Sequence, residues 1–283
     1  MVKINNTVAS KFYKKLLSMP HVFFRMTGVK IEDFQRIVNE NRPAWKRLQK
    51  KKKCHGRNSK VATLEERLML LLLRYRSNIT YPLLGMFFNI DGSNIYRILT
   101  QLESILIKKL HIEKDPTLTE EELKKVLIVD TTTIKIPRPS KNPKKFYSGK
   151  HKTFTVKFEI LTDTTGKIVK ISKLYSGPNH DFKIRMNEFK IPRNITLLAD
   201  SGYQGYQKIH KKTILPTKRT KKKKLSKVEK EQNRQIAKQR IAVEHVFSSM
   251  KRFKIIGSLY RDNLKKLSKI INVIDGIHNL NIK

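Results

Sequence analysis

A mixed α/β domain with flanking helices, preceded by an all-α segment, is the fold class the sequence predicts. Three observations predict it. The hydrophobic period is helical up to about His111, and after Asp115-Pro116 it gives way to short apolar or alternating runs. Those runs are bounded by turn residues, such as Thr164-Thr165-Gly166 and Ser176-Gly177-Pro178-Asn179. The chain has 283 residues, enough to bury a core without metal or disulfide staples. The expected layout is a helical and basic linker region over residues 1–62, a helix-turn-helix domain over 63–115 and the α/β domain over 116–283.

In order along the chain, Ile31, Phe34, Ile37 and Val38 share one face of a helix. From Lys46 to Lys60 eight of fifteen residues are Lys or Arg, with Gly56, Asn58 and Ser59 among them, which reads as a mobile basic loop. Three helices follow, over 64–75, 81–88 and 93–110. Thr63 caps the first, with Glu65 and Glu66 at its positive end, and Thr80 caps the second, with Pro82 in its first turn. The short turn Asn89-Ile90-Asp91-Gly92 gives helix-turn-helix spacing, with the third helix as the one that enters a DNA major groove. Ser93, Asn94, Tyr96 and Arg97 stand at its N-terminal end, where base edges are reached.

Beyond residue 115, Val126-Leu127-Ile128-Val129 is a buried strand ending in Asp130. Phe154, Val156, Phe158 and Ile160 alternate with Thr155, Lys157 and Glu159, and a turn at 162–166 returns the chain as a strand over 168–175, making an antiparallel hairpin. A short helix over 180–189, a strand over 195–200 ending in Asp200, a helix over 204–211 and a short strand over 213–215 come next. Ser226 then caps a long helix running to about Lys251. Three strands, helix, strand, helix, strand, long helix is the element order of an RNase H-like domain.

Charge narrows the function. Lys and Arg number 62 against 23 Asp and Glu, a net charge of +39. That far exceeds the roughly 2–8 units solubility asks of a small domain, and it attracts a polyanion. Nucleic acid is the expected partner. The single Cys54 excludes an internal disulfide framework and any Cys-based zinc site. The longest apolar run, residues 68–73, ends at Arg74 and falls far short of the about 20 residues a membrane span needs. With Lys3, Asn5 and Lys11 where a signal peptide would be apolar, the expectation is a soluble, cytoplasmic, nucleoid-associated protein with no membrane partner.

Three acids carry the chemistry. Asp130 and Asp200 each end an apolar strand, where an α/β sheet opens its ligand crevice. Either could instead be a turn residue, and Asp200 before Ser201-Gly202 could cap the next turn. On the long helix, with Arg240 at zero, Lys251 falls near about 20° and Glu244 near about 40°, a stripe bordering the buried face. An Arg240–Glu244 salt bridge is the plainer reading of that spacing. Two strand-end Asp and a helical Glu suit two Mg²⁺ or Mn²⁺ ions, hard cations that prefer oxygen ligands and clamp the attacking and leaving oxygens of a phosphodiester. No Gly-rich phosphate loop ending in Lys-Ser/Thr occurs, which argues against a nucleotide-driven motor.

Five separated blocks carry a resemblance: residues 127–132, 147–152, 177–182 and 199–205, and Arg240, Glu244 and Lys251 within 233–251. From about residue 63 to the C-terminus the chain resembles bacterial insertion-sequence transposases with a DDE core. The resemblance implies an RNase H-like catalytic domain, a divalent-metal triad and cut-and-insert chemistry on transposon ends. Carried over by position, the triad is Asp130, Asp200 and Glu244. Thr131 stands where many relatives have Gly, and Ala237 where some have Tyr, which puts a Tyr-dependent handling of a flanking base in doubt. His180-Asp181 is the competing acid, although Asp181, at a helix start after Gly177-Pro178, also reads as a cap. Lys150, Lys152, Arg240, Lys251 and the loop lysines Lys221, Lys222, Lys223 and Lys224 are expected on DNA backbone. The expected activity is a metal-dependent transposase, a homodimer or higher oligomer on transposon-end and target DNA. The alternatives are a non-cutting helix-turn-helix regulator and a structure-selective nuclease.

Overall fold

The structure, a computed structural model, describes residues 7–50, 59–110, 126–219 and 224–282, the side chains of 107–110 excepted. The helical half opens with α1 (Val8–Leu17), capped by Thr7, and α2 (Pro20–Thr27), which starts on its proline and ends at Gly28 in the left-handed region. Helix α3 (Ile31–Lys50) buries Phe34, Ile37 and Val38. It runs on through Lys50, so the first five residues of the expected basic loop are helical; residues 51–58 lie outside the described residues. The reason is Trp45, buried with the Arg67 guanidinium 4.5 Å from its ring, which anchors the last turns.

Helix α4 (Leu64–Ser77) begins with a capping box, Thr63 and Glu66 bonding each other's backbone. Leu68 to Leu72 are buried all round it, which makes it the central helix of the bundle. Helices α5 (Tyr81–Phe88), capped by Thr80, and α6 (Gly92–Leu110) flank the tight turn. Asn89 takes the left-handed conformation there, and a Cβ on Gly85 would stand 2.3 Å from the Ile90 carbonyl oxygen, so the turn closes only over a glycine.

The sheet comprises β1 (Val126–Lys135), β2 (Tyr147–Ser148), β3 (Thr153–Asp163), β4 (Ile168–Ile171), β5 (Tyr175–Ser176), β6 (Thr196–Leu198) and β7 (Thr213–Ile214). Its order is β2-β3-β1-β6-β7, with β4 and β5 also on β3. Strand β3 runs antiparallel to β1, whereas β6 is parallel to β1 and β7 to β6. The expected strand over 168–175 is divided, because the Ser172 hydroxyl takes up the Glu159 N–H at 2.8 Å between β4 and β5. The expected helix over 204–211 is absent too. A 3₁₀ turn, Tyr206–Lys208, stands in its place, set off by Gly205 at φ 95° from another at Ser201–Tyr203.

Helix α7 (Asp181–Met186) covers one sheet face. Helix α8 (Lys227–Lys251), capped as expected by Ser226 with Glu229 reciprocating, lies over the other with α9 (Lys254–Gly257) and α10 (Leu264–Asn281). Strand β1 feeds both faces by alternation: Ile128 and Ile134 enter a large core continuous with the N-terminal helices, while Leu127 and Val129 enter a small one with Tyr203 and Tyr206. The change of period near 115 therefore does not divide the core. Helix α10 packs on α6, Lys266 Nζ donates to Thr100 Oγ1 at 2.6 Å, and Asp262 pairs with Arg74.

Candidate active site

A cleft of about 580 Å³ is walled by residues from β1, β3, the start of α7, the end of α8 and adjoining turns, among them Asp130, Asp181, Asp200, Lys150, Lys157 and Lys251. Asp130 lies midway along β1 and not at its end, because residues 131–135 continue the ladder against 155–159 of β3. Its Oδ2 accepts from Arg240 Nη2 at 2.9 Å and its Oδ1 from the Thr131 N–H at 2.7 Å. Burial pushes its carboxyl up to about 6; Arg240 opposes that rise and the neighbouring Asp200 adds to it.

Asp200 follows β6 and caps the first 3₁₀ turn, its Oδ1 accepting from the Gly202 N–H at 2.6 Å. Gly202 is what lets the acids crowd. A Cβ there would stand 2.6 Å from Asp181 Oδ2 and 2.8 Å from Asp200 Oδ1. Asp181 caps nothing with its side chain; His180 is the N-cap residue. Instead, Asp181 Oδ1 accepts from Thr131 Oγ1 at 2.6 Å and from Lys157 Nζ at 3.0 Å.

Glu244 sits one turn along α8 from Arg240, exposed and outside the walls of the cleft. The Arg240–Glu244 pair is not formed, since Arg240 reaches Asp130 instead. Among the described residues no three His, Cys, Asp or Glu side chains come close enough together to hold a metal ion. The carboxylate oxygens of Asp130 and Asp200 have the chemistry that Mg²⁺ and Mn²⁺ select, and a cation between them would relieve the repulsion that adds to the rise of Asp130. Lys251 reaches the cleft, where desolvation lowers its pKa and Asp130 pulls it the other way. Lys150 and Lys152 are exposed on the turn before β3, and only Lys150 joins the cleft wall. Lys224 is exposed; Lys221, Lys222 and Lys223 lie outside the described residues.

Ser93, Asn94, Tyr96 and Arg97 are exposed at the start of α6, as a groove-reading surface requires. Arg97 donates to Asn94 Oδ1 at 3.1 Å, and both line a second cleft of about 550 Å³ with Lys60, Arg67 and Gln101. Tyr96 is also a packing residue, edge-on to Tyr81 at 5.2 Å with Lys266 Nζ 3.8 Å from its ring centre.

Sequence reasoning missed the buried support of the cleft. Glu159 on β3 bonds Arg185 of α7, and Tyr203 donates to its other oxygen at 3.2 Å. Burial raises the Glu159 carboxyl to about 7 against the pull of Arg185. One carboxylate thus ties together the segments that carry Asp181 and Asp200. The signal was the row of polar residues, Thr155, Lys157 and Glu159, on one face of the strand paired with β1.

A helix-turn-helix half joined to a mixed sheet, with Asp130 and Asp200 on one cleft, is the layout of the class to which the family comparison assigns the chain, the DDE endonucleases. Residues 129–279 match the DDE superfamily endonuclease family, and residues 59–112 match the helix-turn-helix of DDE superfamily endonuclease. The chain belongs to this family, on the insertion-sequence transposase branch. It is 33% identical over 262 residues, covering 91% of this chain and 93% of the relative, to the probable transposase for insertion sequence element IS702 of Microchaete diplosiphon. No solved structure matches the chain significantly. Endonucleases of this superfamily generally use divalent metals. No helix among the described residues is long and apolar enough to cross a membrane.

Proposed function

We propose that the chain is a DNA transposase that binds the ends of its own mobile element, cleaves phosphodiester bonds there and joins the freed 3′-hydroxyl ends to target DNA. The observation that carries this reading is the cleft: Asp130 and Asp200 face it with Lys150 and Lys251, on a chain of net charge +39. Asp130 and Asp200, with Glu244 brought in from outside the cleft, would hold two Mg²⁺ or Mn²⁺ ions, which when bound supply an activated water and charge stabilisation of the attacking and leaving oxygens. Arg240 holds and orients Asp130. Lys150, Lys152, Lys251 and the lysines at 221–224 track DNA backbone. Asn94 and Arg97 read base edges of the element's end, Asn being suited to adenine and Arg to guanine. Double-stranded DNA is the partner, engaged by a homodimer or higher oligomer.

The test is to incubate the purified protein with the DNA flanking its own gene, with and without Mg²⁺. Cut ends joined to a second DNA molecule, only with metal, support the reading. Cut ends that accumulate unjoined point to a structure-selective nuclease. Binding without cutting points to a regulator that has kept the helix-turn-helix alone; the outward place of Glu244 favours this second reading.

A further inference from the structure

A lysine inside a sheet is costly unless a counter-charge holds it. Lys157 lies on β3 opposite Thr133 of β1, and only 15% of its side chain is exposed. Its Nζ donates to Asp181 Oδ1 at 3.0 Å and to the Asn179 carbonyl oxygen at 3.0 Å. An ammonium has three N–H donors. Two are committed, and the third has no partner among the described residues. The same Asp181 oxygen takes the Thr131 hydroxyl at 2.6 Å, and Thr131 adjoins Asp130 on β1. Lys157, Asp181, Asp130 and Asp200 all face one cleft. The ammonium is thus fixed from two sides beside the acids, unlike the exposed Lys150.

Resting on the proposed function above, we infer that Lys157 is a further catalytic residue: oriented by Asp181 and the Asn179 carbonyl, its ammonium contacts a non-bridging oxygen of the scissile phosphate. Asp181 is its positioning residue. A donor held in place before the phosphate arrives stabilises charge as it develops, without reorganising during the reaction. With its Oδ1 bonded to both the Thr131 hydroxyl and the Lys157 ammonium, Asp181 is held as a positioning group.

The test uses the full chain and a duplex of flanking DNA that the wild type cuts, in single-turnover cleavage. Lys157→Met should slow cutting roughly 100-fold or more while leaving the protein folded and duplex affinity nearly unchanged. Lys157→Arg, which keeps the charge, should recover part of the rate. Asp181→Asn should also slow cutting with its Mg²⁺ midpoint unmoved. The double variant Lys157→Met/Asp181→Asn should be no slower than Lys157→Met, because the two act as one unit. A Lys157→Met variant that cuts at the wild-type rate, or that loses affinity by the same factor as rate, overturns the inference. So does an Asp181→Asn variant whose defect is a shifted Mg²⁺ midpoint. A wild type that cuts no flanking DNA overturns the transposase reading and this inference with it. A wild type that cuts beside an equally fast Lys157→Met overturns this inference alone.

Discussion

Asp275 on the wide side of the sheet and Glu159 on the narrow side are buried acids held in opposite ways. Under α8, α9 and α10 the core is wide, continuous with the N-terminal helices and mostly apolar. Desolvation alone pushes the carboxyl of Asp275 well above the ordinary range; it is fully buried on that side, and neither oxygen has a hydrogen-bond partner among the described residues. Under α7 the core is small, and acids there are bonded: Glu159 to Arg185 and Tyr203, Asp181 to Lys157 and Thr131. Apolar burial on the first face needs only the right volume and pattern. Bonded charge on the second needs each partner in place, and a buried pair is poor evidence of added stability. The wide face holds the molecule together, and the narrow face sets the positions of side chains. Asp130 lies where they meet, bonded to Arg240 of α8 and next to Thr131, which bonds Asp181 of α7.

The largest effect should come at that meeting point. Asp130→Asn, Asp200→Asn and Glu244→Gln are each expected to abolish cleavage and joining while nearly sparing binding to the element's end, read by gel shift beside a cutting assay. Each removes carboxylate charge and leaves the DNA-binding side chains in place. Full cutting by Glu244→Gln would move the third acid elsewhere.

Next is the narrow face itself. Above about pH 7, where Glu159 is ionised, Glu159→Gln strands the buried Arg185 charge and should cost about 3–5 kcal/mol in denaturant melts. The pH dependence has a definite sign. With the folded carboxyl at about 7 and the ordinary Glu value at 4.5, the folded protein keeps a proton that the unfolded chain has released between those values. The stability this group contributes is full below about pH 4.5 and is lost as pH rises through about 7. Stability of the wild type should fall over that window relative to Glu159→Gln. Parallel pH curves would mean that Arg185 keeps Glu159 ionised throughout.

Asn94 and Arg97 belong to the helical half that the wide face carries, so replacing them should leave the cleft alone. Asn94→Ala or Arg97→Ala should cost roughly 1–3 kcal/mol on the native end and much less on scrambled DNA. Equal losses on both, or a lowered melting temperature, would make α6 a packing helix only. The smallest effect concerns Lys221–Lys224. Their replacement by Ala should flatten the slope of log K against log salt by at most about 0.9 for each phosphate no longer neutralised. An unchanged slope would mark a solvated loop.

What the sequence by itself determined is local or collective. Thr63, Thr80 and Ser226 were legible as caps because a cap depends on residues two or three positions away. The helical and alternating periods placed the bundle before the sheet, and the excess of lysine and arginine pointed to a polyanion without reference to any tertiary neighbour. The places of the acids were fixed by packing. Strand β1 runs past Asp130 because β3 offers it five more ladder partners, which no pattern within residues 126–135 reveals. Arg240 chooses Asp130, 110 residues away, over Glu244 four residues away, because the strand acid is the more desolvated partner. Asp181 looked like a cap from its neighbours, yet it bonds Thr131 and Lys157 across the sheet. Such partners are set by strand register and by the approach that Gly202 permits, and both exist only once the segments have packed.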